Sequence, residues 1–402
     1  MSPHTMPDTT PPTAAQAIAL PTEHLPDGDD FLMWPPCLQS HGYRNVDRLF
    51  ATRVIARGTP RELARGQEVQ VQVPVGGHAL SLGQFMDRNN VAGLLVMRDA
   101  AVVLERYGLG LRADERWSTM STVKSMTAML VGAAVGDGAI ADIADPVTHY
   151  LPQLTGSVYD GVTVQQLMTM SSGVRWSEEY ADRDSDVNRY SRSLAGKVPG
   201  GVLQLMRGLQ RAEPAGTTWR YNTGDTYLLG ALVCAATAMP LATYMSQRIW
   251  QPCGMEFDAY YTLESDDGTE IGGSRAGMAL RDIGRFAQLV LNDGVTSQGE
   301  RVLPQGWVDA AATPAFALPD ESQRSPHRRT LGLVAYGYSW WLDNDGGMWA
   351  LGHCGQRIYI HRRERLAVVQ LAVYPEPQHA SAREPDRDAQ LASLIRALRR
   401  AS

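Results

Sequence analysis

Ser121-Thr122-Val123-Lys124-Ser125-Met126-Thr127-Ala128-Met129-Leu130-Val131-Gly132-Ala133-Ala134-Val135-Gly136 is the stretch on which the reading of this chain turns. Its apolar residues fall on almost every side of an α-helix, the pattern of a helix buried all round. Asp137-Gly138 ends it. Ser121 and Lys124, three positions apart, share one helical face, so hydroxyl and amine are neighbours in an apolar setting. Of the 37 basic side chains only Lys124 and Lys197 are lysine. A chain that otherwise uses arginine keeps lysine where arginine cannot serve. Arginine stays protonated, whereas a desolvated lysine amine can lose its proton and act as a base. A serine hydroxyl becomes a good nucleophile only when a base takes that proton. A helix N-terminus also favours negative charge on the serine and on an adjacent oxyanion.

Upstream, Val91–Met97 and Ala100–Tyr107 are β-rich runs that meet at Arg98-Asp99, which predicts a hairpin. From about 140 to 259 the signals are mostly helical with Pro and Gly breaks, as in Val164–Met168 and Leu228–Ala236. After Gly272-Gly273-Ser274 a helix is expected over 280–292. Strands then return: Tyr336 to Leu342, Met348 to Leu351 after the turn Asp343–Gly347, then Arg357 to His361 and Leu366 to Tyr374 around the charged turn Arg362–Arg365. A closing helix spans about 387–400. The expected class is α+β: a central antiparallel sheet with strands from both ends of the chain, flanked by helices, with an inserted all-helical lobe. The expected boundaries are a loose N-terminal arm over 1–30, an α/β lobe from 31–140 and 260–402, and a helical lobe over 141–259. The groove between the lobes is the natural place for a site.

The rest of the composition narrows the function classes. A net charge of −6 argues against a nucleic-acid footprint. No run approaches a membrane span, and Ala14–Leu20 is too short and polar for a signal peptide. Cys37, Cys234, Cys253 and Cys354 are scattered, without the spacing of a disulfide framework or a zinc site. They read as reduced, mostly buried thiols in a cytoplasmic protein. No nucleic acid, membrane or metal is therefore expected as a partner. Oligomeric state is open, a homodimer included.

Two further elements bear on the chemistry. Tyr221-Asn222-Thr223 offers a tyrosine that can relay the serine proton, as phenolate or through its hydroxyl, and a polar residue for lysine and substrate. In Gly352-His353-Cys354-Gly355-Gln356, a glycine lets the strand backbone approach bound substrate. The backbone N–H of Gln356 can then join that of Ser121 as an oxyanion hole, and His353 can add a hydrogen bond at the strand edge. Cys354 reads as inert.

These elements, in this order, resemble the serine β-lactamase and penicillin-binding-protein superfamily over about residues 85–375, and its class C-like branch in particular. The resemblance implies the β-lactamase/transpeptidase-like fold and no cofactor. It matches Ser121 to the nucleophile, Lys124 to its base partner, Tyr221 to the second base, and His353 and Gly355 to the third motif. Thr223 stands where β-lactamases usually have asparagine, and His353 where they usually have the lysine that grips the β-lactam carboxylate. Both departures weigh against β-lactam turnover.

Met170 to Val187, with Trp340-Trp341, is similar to the 6-aminohexanoate-dimer hydrolases, which cleave nylon oligomers and simple carboxylic esters. Family VIII-type carboxylesterases share the pattern. The resemblance implies that Tyr180 contacts the scissile bond, with Trp340 and Trp341 near the substrate. In those enzymes an acid that grips the substrate ammonium lies about eleven positions after that tyrosine, where this chain has Ser191. It implies weak dimer hydrolysis and dominant ester hydrolysis. The expected reaction is acyl transfer on a small-molecule ester or amide through a covalent acyl-enzyme on Ser121. Alternatives are β-lactamase or D-amino-acid peptidase activity, or a penicillin sensor that acylates and stalls.

Overall fold

Asp99 and Ala100 both adopt left-handed backbone angles, φ 48° and 68°. Two such residues make the tight turn whose twist suits a right-twisted strand pair. Val91–Arg98 (β1) and Ala101–Tyr107 (β2) accordingly form the expected hairpin. The computed structural model describes residues 25–319, 326–374 and 384–401. Six more strands come from the far end of the chain: Phe316–Ala317 (β3), Leu333–Tyr336 (β4), Trp341–Asp343 (β5), Met348–Gly352 (β6), Gln356–His361 (β7) and Leu366–Ala372 (β8). They join the hairpin in one antiparallel sheet of order β2-β1-β8-β7-β6-β5-β4-β3. The two ends of the chain meet at β1 and β8, where Val96 lies opposite Val368 and Leu94 opposite Gln370. Both strands are buried almost throughout, as strands covered on both faces must be.

The run Tyr336 to Leu342 is not one strand. It reverses between β4 and β5, with the Gly337 N–H donating to the Trp340 carbonyl and Ser339 at φ 56°. A Cβ on Gly337 would stand 2.1 Å from the Ala311 carbonyl oxygen, so glycine is required there. The apolar character of the run comes from burial of the turn.

Five helices matter for the site: Val123–Gly136 (α1), Asp186–Ala195 (α2), Thr223–Thr237 (α3), Leu280–Leu291 (α4) and Glu384–Arg400 (α5). No sheet strand lies between 137 and 258. Helix α1 is buried at every position from Val123 to Ala134, as its apolar surface requires. Helix α4 packs on β1 and β8, and α5 is tied to β7 by the buried Arg357–Asp388 ion pair. A second sheet of short strands, Thr52–Ile55, Ala259–Thr262, Gly277–Met278 and Trp117–Ser118, ends on the strand that leads into Ser121. Among the described residues no single helix is long and apolar enough to cross a membrane.

The arm expected over 1–30 lies outside the described residues as far as 24. Its last part is not loose. Gly28–Met33 is a 3-10 turn capped by Asp27, with Phe31 and Leu32 buried.

Candidate active site

Ser121 sits in a 3-10 turn, Met120–Thr122, at the N-terminal end of α1. Met120 is held at φ 47°, a left-handed conformation that is costly for a side chain of this size. The turn is wedged against β6: a Cβ on Gly352 would lie 2.8 Å from the Thr119 carbonyl oxygen and 3.1 Å from the Met120 Cβ. Gly352 is therefore the glycine of the third motif that permits close approach, and what it approaches is the turn that carries Ser121. Gly355, expected to bring backbone to substrate, answers a different need. It adopts φ 95° and packs under the Tyr374 ring, 2.6 Å from where a Cβ would be.

Lys124 is 2% exposed. Its Nζ donates to Ser121 Oγ at 2.9 Å and to the Gly273 carbonyl at 2.6 Å. Burial lowers its pKa to about 8; Glu178 opposes the shift and Arg275 adds to it. Burial disfavours the ammonium, and two acceptors hold the amine on the nucleophile. Gly273 carries no sequence signal for this role beyond its place in a Gly-Gly pair.

Tyr221 stacks on Trp341, with centroids 5.4 Å apart and planes 25° from parallel. Its ring lies 5.3 Å from the Lys124 Nζ. Burial and then Glu178 push the Tyr221 phenol well above its ordinary value. The phenolate form is thereby disfavoured, which leaves the neutral hydroxyl as the group able to pass a proton. Asn222 caps α3, accepting from the N–H groups of Gly224 and Asp225 at 2.8 and 3.2 Å. That cap fixes where Tyr221 and Thr223 leave the helix.

A narrow cavity opens beside Ser121. Tyr180, Thr223 and His353 line it, with Glu178, Arg275 and Leu32. His353 is engaged with the Leu32 carbonyl at 2.9 Å and packs on the Tyr180 ring at 4.5 Å. The two tryptophans part company. Trp341 supports Tyr221, while Trp340 is fully buried and stacks on Phe286 of α4. Neither lines this cavity: Trp340 lies in the core and Trp341 against the Tyr221 ring. The Gln356 side chain is also turned away from it. Its Nε2 donates to the carbonyls of His353, Cys354 and Ala372, and its Oε1 accepts from Trp117 Nε1 at 3.0 Å.

The reading of the sequence missed Glu178. Its carboxylate accepts hydrogen bonds from Tyr180 OH at 2.9 Å, from Trp176 Nε1, and from both the hydroxyl and the N–H of Thr223. Thr223 is thus held by an acid and does not contact Lys124. The signal lay within the Met170–Val187 stretch, where Glu178 stands two residues before Tyr180.

The chain is 28% identical over 350 residues to the 6-aminohexanoate-dimer hydrolase of Paenarthrobacter ureafaciens, covering 83% of this chain and 85% of that one. It is 28% identical over 187 residues to Esterase EstB of Burkholderia gladioli, covering 43% and 46%. Its fold matches a solved structure from Bacillus anthracis, provisionally named a 6-aminohexanoate-dimer hydrolase, with a TM-score of 0.74 at 21% identity over 89% of this chain and 93% of that one. The family model described as Beta-lactamase matches residues 81–393, so the chain belongs to the beta-lactamase family.

Proposed function

We propose that this protein is a serine hydrolase that cleaves ester or amide bonds of small molecules through an acyl-enzyme on Ser121, without a cofactor. The observation that carries the reading is the buried Lys124 amine, 2.9 Å from Ser121 Oγ with its pKa lowered to about 8. Lys124 as free amine takes the Ser121 proton, directly or through the Tyr221 hydroxyl. Ser121 Oγ attacks the carbonyl carbon. The N–H groups of Ser121 and Gln356 are the proposed donors to the oxyanion, with the positive end of α1 behind them. The tetrahedral intermediate expels the alcohol or amine, which takes the proton back from Lys124 or Tyr221. Water, deprotonated by the same pair, then releases the acid.

Tyr180, Thr223 and His353 form the proposed substrate contacts. The resemblance to relatives named as a dimer hydrolase and an esterase supports ester or amide bonds over a β-lactam ring, as does His353 in place of a lysine. Four free thiols fit a reducing, cytoplasmic setting. The test is kcat/KM on purified enzyme for a short p-nitrophenyl ester, the linear 6-aminohexanoate dimer and a chromogenic cephalosporin. Turnover is expected with the ester, strongest of the three. Ser121→Ala is expected to lower it at least a thousandfold while the circular dichroism spectrum is unchanged. Activity within tenfold of wild type in that variant would refute the assignment.

A further inference from the structure

Arg275 has no part in the mechanism above, yet it lines the same cavity as Ser121. It is 1% exposed, and burial lowers even its guanidinium pKa to about 10. The faces of the guanidinium are occupied by aromatic rings: Phe31 lies 4.4 Å and Phe50 5.2 Å from its central carbon. Its Nη2 donates to Ser191 Oγ at 2.5 Å. Nε and Nη1 are buried without a hydrogen-bond partner, and no carboxylate among the described residues pairs with the group. A buried charge is ordinarily paired, and an unpaired N–H in such a place is costly. The acid in the same cavity, Glu178, is already engaged with Trp176, Tyr180 and Thr223. Ser191 is a buried hydroxyl that orients this cation.

We infer that Arg275, oriented by Ser191, is a carboxylate-binding subsite, and that the preferred substrates are esters or amides bearing a free carboxylate on the part that enters this cavity. The inference rests on the serine-hydrolase reading and names the substrate class of that same site. The carboxylate supplies the anionic acceptor that the cavity withholds from Arg275, through charge-assisted hydrogen bonds. An ammonium in the same place meets an uncompensated cation.

The experiment compares kcat/KM within two matched pairs. One pair carries the charge on the acyl side: the p-nitrophenyl monoester of adipic acid against p-nitrophenyl hexanoate. The other carries it on the leaving group: the hexanoyl ester of 4-hydroxybenzoate against that of 4-hydroxybenzamide. The readout is the charged-to-neutral ratio within one enzyme, which a general loss of folded protein does not move. Wild type is expected to prefer the carboxylate member at least tenfold in one pair. Arg275→Gln is expected to abolish that preference, and Arg275→Lys to retain most of it. Ser191→Asp, which sets a carboxylate against Nη2, is expected to abolish it without touching Arg275. No preference in either pair, or a preference that survives both Arg275→Gln and Ser191→Asp, overturns the subsite. If no ester is turned over at all, and Ser121→Ala equals wild type, the hydrolase reading itself fails and takes the subsite with it.

Discussion

Lys124 is useful because it is nearly dry. Its partners are a hydroxyl and a carbonyl, neither of which stabilises the ammonium as a carboxylate would, and burial brings its pKa to about 8. At pH 7 a lysine of that pKa is neutral in about one molecule in ten, against fewer than about one in a thousand for an unperturbed lysine. In the proposed mechanism the base is the neutral amine, so activity is lost as pH falls below the pKa and gained as pH rises through it. We therefore expect kcat/KM for a neutral ester to climb between about pH 6 and 9, with its midpoint near pH 8, and to level off above. A profile flat from pH 5 to 9 would remove Lys124 as the base. At this scale the sequence was informative where chemistry restricts the residue type: Ser121, Lys124 and Tyr221 are brought together as expected. Glu178 and Gly273 were not legible as partners, because a carboxylate in a loop and a glycine carbonyl acquire meaning only from what lies beside them.

Single elements position these groups through tight contacts. The Tyr221 ring is held by Trp341, which belongs to β5, and the Trp341 indole is in turn covered by Trp219 and by Arg328, whose guanidinium carbon lies 4.5 Å above it. In the proposed mechanism Trp341 acts through Tyr221, whose ring it holds. Trp341→Ala is expected to lower kcat roughly tenfold to a hundredfold, the range for a misplaced catalytic group, with little change in KM. Trp341→Phe, which keeps an aromatic surface, should recover most of the loss. A change confined to KM would instead place the indole against the substrate. The elements themselves were largely legible. The β1–β2 hairpin, α1, α4 and the strands around Arg362–Arg365 fall within a few residues of expectation. The exception, the turn inside Tyr336–Leu342, failed because a buried turn is as apolar as a strand. Its reversal is set by Gly337 against Ala311, a contact distant in sequence.

Across the whole molecule, the site depends on chain segments that are far apart. Arg357, next to Gln356, donates to the Gly352 carbonyl at 2.7 Å and pairs with Asp388 of the terminal helix α5. Both members of the pair are at most 1% exposed. Removing one partner of a buried ion pair costs about 3–5 kcal/mol. Asp388→Ala is expected to lower the thermal midpoint by several degrees and to reduce activity, since the strand β7 that follows the His353 turn loses its anchor. A variant as stable as wild type would mean that α5 does not brace that strand. The sequence by itself determined the fold class and which serine, lysine and tyrosine lie together, because burial pattern and reactive side-chain chemistry are written locally. Only the tertiary structure decided that Gly352 faces the turn that carries Ser121, that Trp340 belongs to the core, and that Ser191 turns a guanidinium toward the cavity. Those outcomes are set by packing between residues tens to hundreds of positions apart, whose distances no local pattern encodes.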